Sequence, residues 1–232
     1  ARNSFFIVEK KAFSEQHGSM MAIIPPKAGQ FISFEGIDGS GKSTQARLLA
    51  HNLRDMGHDV VLTREPGGSD GGEEIRALVL QGAADRWSPE TELLLFTAAR
   101  RDHLEKTIQP ALARGATVIS DRFADSTRIY QGITRGARRT MVDALHDLVI
   151  GVEPDLTVLI DIDPRLGLAR AQARAGLEQR FEDMGTQMQA QMRHGFLELA
   201  KKSTRFVVFD GAQTQENLAN AVQMVTRERL GL

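Results

Sequence analysis

The stretch Phe31-Ile32-Ser33-Phe34-Glu35-Gly36-Ile37-Asp38-Gly39-Ser40-Gly41-Lys42-Ser43-Thr44 decides the fold. From Gly36 onward it satisfies the phosphate-loop pattern G-x-x-x-x-G-K-[ST] at every fixed position. Glycines at Gly36, Gly39 and Gly41 let the backbone turn successive N–H groups inward on phosphate oxygens. Lys42 brings a point charge to the β- and γ-phosphates, and the Ser43 hydroxyl can ligate Mg²⁺. A helix beginning near Lys42 adds the positive end of its dipole. A glycine-rich turn containing Lys-Ser by chance would need neither a buried strand before it nor an amphipathic helix after it. Both are present: Phe31 to Phe34 is apolar but for Ser33, and Ala46, Leu49, Ala50 and Leu53 fall on one helical face. Residues Gly36, Ile37, Asp38, Gly39, Ser40, Gly41, Lys42, Ser43 and Thr44 are therefore read as a nucleoside triphosphate site.

Outward from the loop, short apolar strands alternate with helical segments. Strands are expected at Phe31–Phe34, Val60–Leu62, Thr117–Ile119, Leu156–Ile160 and Phe206–Phe209. Ser88-Pro89-Glu90 and Asp163-Pro164 read as helix starts, with a capping side chain followed by proline in the first turn. One helical region is expected to run through Tyr130 to Val149, interrupted at Gly132 and Gly136. The fold class is α/β: a five-stranded parallel sheet of the P-loop NTPase type, with helices on both faces. Such sheets bind ligands beyond the carboxyl ends of their strands, where the loop, Arg64 and Asp121-Arg122 all lie.

Residues 1–29 fit this pattern poorly. Gly18-Ser19-Met20 resembles a cloning remnant, so they are expected to be an appended or unstructured segment with Met20 or Met21 near a natural start. Residues 30–232 are read as a single domain with a polar lid at about 170–185. The net charge of −1 gives no bias toward nucleic acid or anionic membrane, and neither is expected as a partner. No apolar run approaches the ~18 to 20 residues of a membrane span, and a cytoplasmic protein is expected. With no cysteine in the chain, disulfides, thiol catalysis and cysteine-ligated zinc are excluded.

A phosphate loop alone names no reaction. Arg64, Arg76, Arg100 and Arg122 fall at strand carboxyl ends or on the helices that follow, and a second phosphate-bearing substrate needs such cations. The chain resembles the bacterial thymidylate kinases from about Phe31 to its C-terminus. The resemblance rests on Phe34-Glu35-Gly36, Thr63-Arg64-Glu65-Pro66-Gly67-Gly68, Phe96-Thr97-Ala98-Ala99-Arg100, Asp121-Arg122-Phe123, Asp125-Ser126-Thr127 and Tyr130-Gln131-Gly132. It implies transfer of the γ-phosphoryl of ATP to dTMP, with Mg²⁺, in a cytoplasmic homodimer joined through helices such as that near Leu93 to Leu104. Phe96 would stack on thymine and Arg100, one turn later on the same face, would reach its carbonyl edge. Thr127 and Gln131 would hydrogen-bond the base or nearby sugar, and Tyr130 would press on the deoxyribose C2′. Asp38 would face the 3′-hydroxyl, Glu65 and Arg76 would line the same site, and Arg122 would grip the acceptor phosphate. Asp121 and Asp161 both resemble magnesium-binding strand ends; Asp121, which adjoins Arg122 and the substrate motif, is preferred to orient Mg²⁺ together with Ser43, and Asp161 would then position the loop after it.

One departure is informative. Some members of that family carry an arginine at the loop position held here by Gly39. The resemblance is thus to the subclass that supplies a transition-state cation from the lid, where Arg174 and Arg180 lie. Two other readings compete. Another nucleotide or nucleoside kinase should differ at Phe96, Arg100, Tyr130 and Gln131, and a GTP-dependent switch should carry an Asn-Lys-x-Asp guanine motif, which is absent.

Overall fold

In the computed structural model, residues 29–83, 86–134, 139–173 and 185–232 are described. The expected segment 1–29 lies outside them except for Gly29, whose amide donates to the Leu112 carbonyl at 2.9 Å. So do Arg174, Arg180 and all of the expected lid between 174 and 184.

Five strands form one parallel sheet in the order β2-β3-β1-β4-β5. These are β1 Phe31–Glu35, β2 Val60–Arg64, β3 Thr117–Asp121, β4 Leu156–Asp161 and β5 Phe206–Asp210. Phe31 pairs with Val118 on one side of β1, and Ile32 with Leu156 on the other, so β1 is central. All five of its residues are buried, as a strand covered on both faces requires. Strand alternation sends Ile32 and Phe34 into one core with Ala46, Leu49 and Leu53 of α1 (Lys42–Asp55) and Leu218 and Val222 of α9 (Gln215–Leu230). Phe31 points the opposite way, against Leu104, Ile108 and the edge of Phe123, whose ring centroid lies 4.8 Å from its own.

The remaining helices are α2 Asp70–Leu80, α3 Pro89–His103, α4 Gln109–Ala113, α5 Ala124–Ile129, α6 Arg139–Leu145, α7 Pro164–Gln172 and α8 Gly185–Ala200. The caps stand where local chemistry places them. Ser88 accepts from the Thr91 amide at 3.1 Å ahead of Pro89, and Asp163 from the Arg165 amide at 2.8 Å ahead of Pro164. Departures from regular helix are concentrated elsewhere. Wide π-helical turns at Leu104–Ile108, Tyr130–Thr134 and His146–Ile150 extend α3, α5 and α6. The helical region expected through Tyr130 is therefore broken by a change of helix type at Tyr130 itself, with Gly132 inside the wide turn. Such bulges re-aim side chains and recur at functional sites. Among the described residues no helix is long and apolar enough to cross a membrane.

Candidate active site

The carboxyl ends of β1, β2 and β3 open into a cleft of about 770 Å³. Its floor is the loop between β1 and α1. Gly39 adopts φ 75° against the backbone of α7, and an added Cβ would lie 1.9 Å from the Gly167 carbonyl oxygen. Gly41, at φ 103°, turns the chain into α1. Asp38, Gly39, Gly41, Lys42 and Ser43 line the cleft. Ile37 and Ser40 are buried behind them, and the Lys42 ammonium donates to the Ile37 carbonyl at 2.7 Å and approaches Ser40 Oγ at 3.5 Å. Burial, with repulsion from Arg122, lowers the Lys42 pKa to about 8. Gly36 gives its carbonyl to Arg122 at 3.3 Å. Thr44 is not among the lining residues, and its hydroxyl is 3.5 Å from Arg47.

The corner after β3 is held from three directions. Arg122 takes φ 72°, unusual for a side-chain-bearing residue and costing on the order of 1–3 kcal/mol. Its amide donates to the Phe34 carbonyl at 2.9 Å, and the Ser120 hydroxyl donates to its carbonyl at 2.7 Å. The next amide, of Phe123, donates to Glu35 Oε1 at 2.8 Å, and Ser126 Oγ donates to Glu35 Oε2 at 2.6 Å. So aimed, Arg122 reaches Ser126 Oγ at 3.0 Å, Asp38 at 2.5 Å and the Tyr130 hydroxyl at 3.0 Å. Burial raises the Asp38 pKa, but the Arg122 and Lys42 charges outweigh it and hold that carboxyl below its ordinary range. Glu35 goes the other way. Burial and the neighbouring Asp125 charge push it up to about 7.

The far wall comes from α3 and the turn after α5. Phe96 and Arg100 line the cleft, as the four-residue spacing requires. Arg100 is buried and pinned: Nε donates to Glu65 Oε2 at 2.7 Å, and Nη2 to the Phe123 carbonyl at 3.3 Å and Thr127 Oγ1 at 2.8 Å. His103 lies between Thr63 Oγ1 at 2.7 Å and Glu65 Oε1 at 3.1 Å. Burial raises the Glu65 pKa, yet Arg100 and His103 outweigh it and keep the carboxyl low. Arg76 donates to the Pro66 carbonyl at 2.5 Å and, with Tyr130, Gln131 and Thr127, also lines the cleft.

Asp121 lines the cleft with Ser43, and its Oδ1 is buried with no hydrogen-bond partner among the described residues. An orphaned carboxylate oxygen facing a serine and a phosphate loop fits Mg²⁺, which relies on few protein ligands and on substrate phosphates. Among the described residues, no group of three His, Asp or Glu side chains is placed to hold a metal ion. Asp161 is instead tied to Arg193, at 2.6 and 2.7 Å, and its carbonyl accepts from the Gly211 amide.

Sequence reasoning passed over Glu35, Ser126, His103, Glu92 and Gln189. Glu35 had a readable signal, a carboxylate ending an otherwise apolar strand against the loop. The others had none, because the partners that place them lie 38 to 151 residues away, from His103–Glu65 to Gln189–Asp38.

Fold and site together define a P-loop enzyme of the nucleoside monophosphate kinase class, with a triphosphate loop and a second, arginine-lined pocket on one cleft. The thymidylate kinase family model matches residues 34–222. The chain is 63% identical over 203 residues to the thymidylate kinase of Ruegeria pomeroyi, covering 87% of this chain and 96% of that one. It is 64% identical over 192 residues to that of Dinoroseobacter shibae, covering 82% and 93%. A solved thymidylate kinase from Ehrlichia chaffeensis superposes with a TM-score of 0.68 at 37% identity, over 85% of this chain and 98% of that one. The chain belongs to the thymidylate kinase family.

Proposed function

We propose that the chain transfers the γ-phosphoryl group of ATP to dTMP, giving dTDP and ADP in the supply of dTTP. A terminal oxygen of the acceptor phosphate attacks the γ-phosphorus while the bond to the β,γ-bridging oxygen breaks. The observation that carries this reading is that Lys42 and the Phe96–Arg100 wall line the same cleft. Lys42 and the loop amides hold the donor phosphates, and Arg122 takes the acceptor phosphate, leaving Asp38 for the 3′-hydroxyl. Phe96 stacks on the base, Arg100 meets its carbonyl edge, and Tyr130 closes the sugar side; Glu65, Arg76, Thr127 and Gln131 complete the pocket. Ser43, with Asp121 beside it, would hold Mg²⁺, which would offset phosphate charge.

An assay of ADP release with dTMP, dUMP, UMP and no acceptor tests the reading. Turnover should be greatest with dTMP and lower by about 10²-fold with UMP, since shape alone rejects an added hydroxyl modestly. Equal rates with and without acceptor would sink it in favour of a nucleotide switch. Beyond Lys42, Gly39 leaves the loop without a second cation to clamp the transferring phosphoryl group, and we assign that role to Arg174 and Arg180. Replacing both by alanine should cost roughly 10³-fold or more in kcat with little change in KM for dTMP. Near-parental kcat in that double variant removes the assignment. We further place the enzyme in the cytoplasm as a homodimer joined through α3.

A further inference from the structure

Glu92, Phe96 and Arg100 lie at successive four-residue steps on α3 and so share one face. Phe96 and Arg100 line the cleft, whereas Glu92 is wholly buried behind it. There Glu92 Oε1 accepts from Gln131 Nε2 at 3.0 Å, and Gln131, 1% exposed, belongs to the cleft lining. A carboxylate can only accept, so the amide nitrogen of Gln131 is the end that must face Glu92. The carbonyl end, Oε1, finds no hydrogen-bond partner among the described residues. Beside it, Arg100 spends Nε and Nη2 on Glu65, Phe123 and Thr127, and its Nη1 donors find no partner among the described residues. The Thr127 hydroxyl, already accepting from Arg100, keeps its own proton to donate.

We infer that Glu92 is a positioning residue for base specificity: it fixes the amide of Gln131 so that the pocket presents an acceptor beside the Arg100 donors. This inference rests on reading the cleft as the dTMP site. An arginine donor next to an amide acceptor complements a base edge carrying a carbonyl beside a ring N–H. Thymine and uracil have that edge, while cytosine has the reverse, an amino group beside a bare ring nitrogen. A pocket built to pair with a substrate N–H rejects the analogue that lacks it, because its buried acceptor is left unpaired.

The test compares kcat/KM for dTMP with that for 5-methyl-2′-deoxyisocytidine 5′-monophosphate. That probe keeps the 4-carbonyl and the 5-methyl group but carries an acceptor at ring position 3, with an amino group at position 2. The full-length parent should favour dTMP strongly. Glu92→Gln offers Gln131 a partner that can also donate, which frees the amide to turn. The dTMP-to-probe ratio should then fall by about tenfold or more, with the melting temperature and the KM for ATP unchanged. Gln131→Ala should lower the ratio comparably, and adding Glu92→Gln to it should change nothing further. A purely structural Glu92–Gln131 contact would leave the ratio at its parental value in Glu92→Gln, or lower it additively in the double variant; either result overturns the inference. Should Glu92→Gln not fold, Glu92→Leu, which removes the acceptor for Gln131 Nε2, decides in its place: a fallen ratio supports the inference and a parental one overturns it. A parent that does not phosphorylate dTMP overturns the function and this inference together. A parent that does, with an unmoved ratio in Glu92→Gln, overturns only the inference.

Discussion

Glu35 ends β1 with no exposed surface, accepting from the Phe123 amide and the Ser126 hydroxyl. Ser126 in turn accepts from Arg122, so this carboxyl supports the residue assigned to the acceptor phosphate. Its pKa stands near 7 in the folded chain against an ordinary 4.5. Above 4.5 the unfolded chain releases this proton while the fold retains it. The corresponding stability is therefore complete below pH 4.5 and is lost as pH rises to about 7. The carboxyls of Asp38, Glu65 and Glu153 shift the opposite way, so their contributions change below their ordinary values, outside this window. Glu35→Gln should consequently flatten the pH profile of the melting temperature. The parent should lose about 5 °C relative to the variant between pH 4.5 and pH 7.5. Parallel profiles for the two proteins would show that Glu35 titrates alike folded and unfolded.

Between elements, the tightest constraint is where the phosphate loop meets α7. Gly39 needs a left-handed backbone, and Gly167 of α7 occupies the space a side chain would fill. An arginine there demands both a strained φ and a retreat of α7. The loop glycine and the helix glycine are thus a matched pair, and the absence of a second loop cation at position 39 has a steric cause in this chain. Gly39→Ala should destabilise by more than about 1 kcal/mol. Gly39→Arg should add a rise in the KM for ATP, because the loop amides move with the backbone. Calorimetry and steady-state kinetics read the two effects, and unaltered values for Gly39→Arg would mean that α7 yields freely. The wide turn at Tyr130–Thr134 belongs to the same scale: it sets Tyr130 against Arg122 and Asp38 while Gln131 reaches back to Glu92.

At the scale of the whole molecule, burial is distributed over both faces of the sheet, and among the described residues eight large apolar side chains remain exposed. Leu94, on α3 within two residues of Phe96, is half exposed, and Leu148 is 84% exposed. An apolar side chain on the helix that carries Phe96 and Arg100 suits a symmetric contact between copies. Leu94→Asp should shift the sedimentation coefficient of a dimer to that of a monomer. It should also lower activity, since Phe96 and Arg100 share the helix. A parent already monomeric at micromolar concentration would remove the dimer proposal. A second feature at this scale is the ion network of Asp125, Arg128, Glu153 and Arg205, which ties α5 to the loop before β4 and to the start of β5.

The sequence by itself determined the elements and the phosphate loop, because both are written in local chemistry. A short apolar run marks β1, paired Ser-Pro and Asp-Pro signals mark the starts of α3 and α7, and three glycines with Lys42 mark the phosphate loop. Spacing and resemblance also gathered Phe96, Arg100, Tyr130 and Gln131, which line one cleft in the structure. Only the tertiary structure decided the strand order β2-β3-β1-β4-β5 and the partners of the charged side chains. Glu35 meets Ser126 across 91 positions, Arg100 meets Glu65 across 35, and Arg205 meets Asp125 across 80. No local rule selects among the chain's 30 carboxylates and 29 cations. Burial does, since a charge withdrawn from water must find its counterpart wherever the fold brings one within reach.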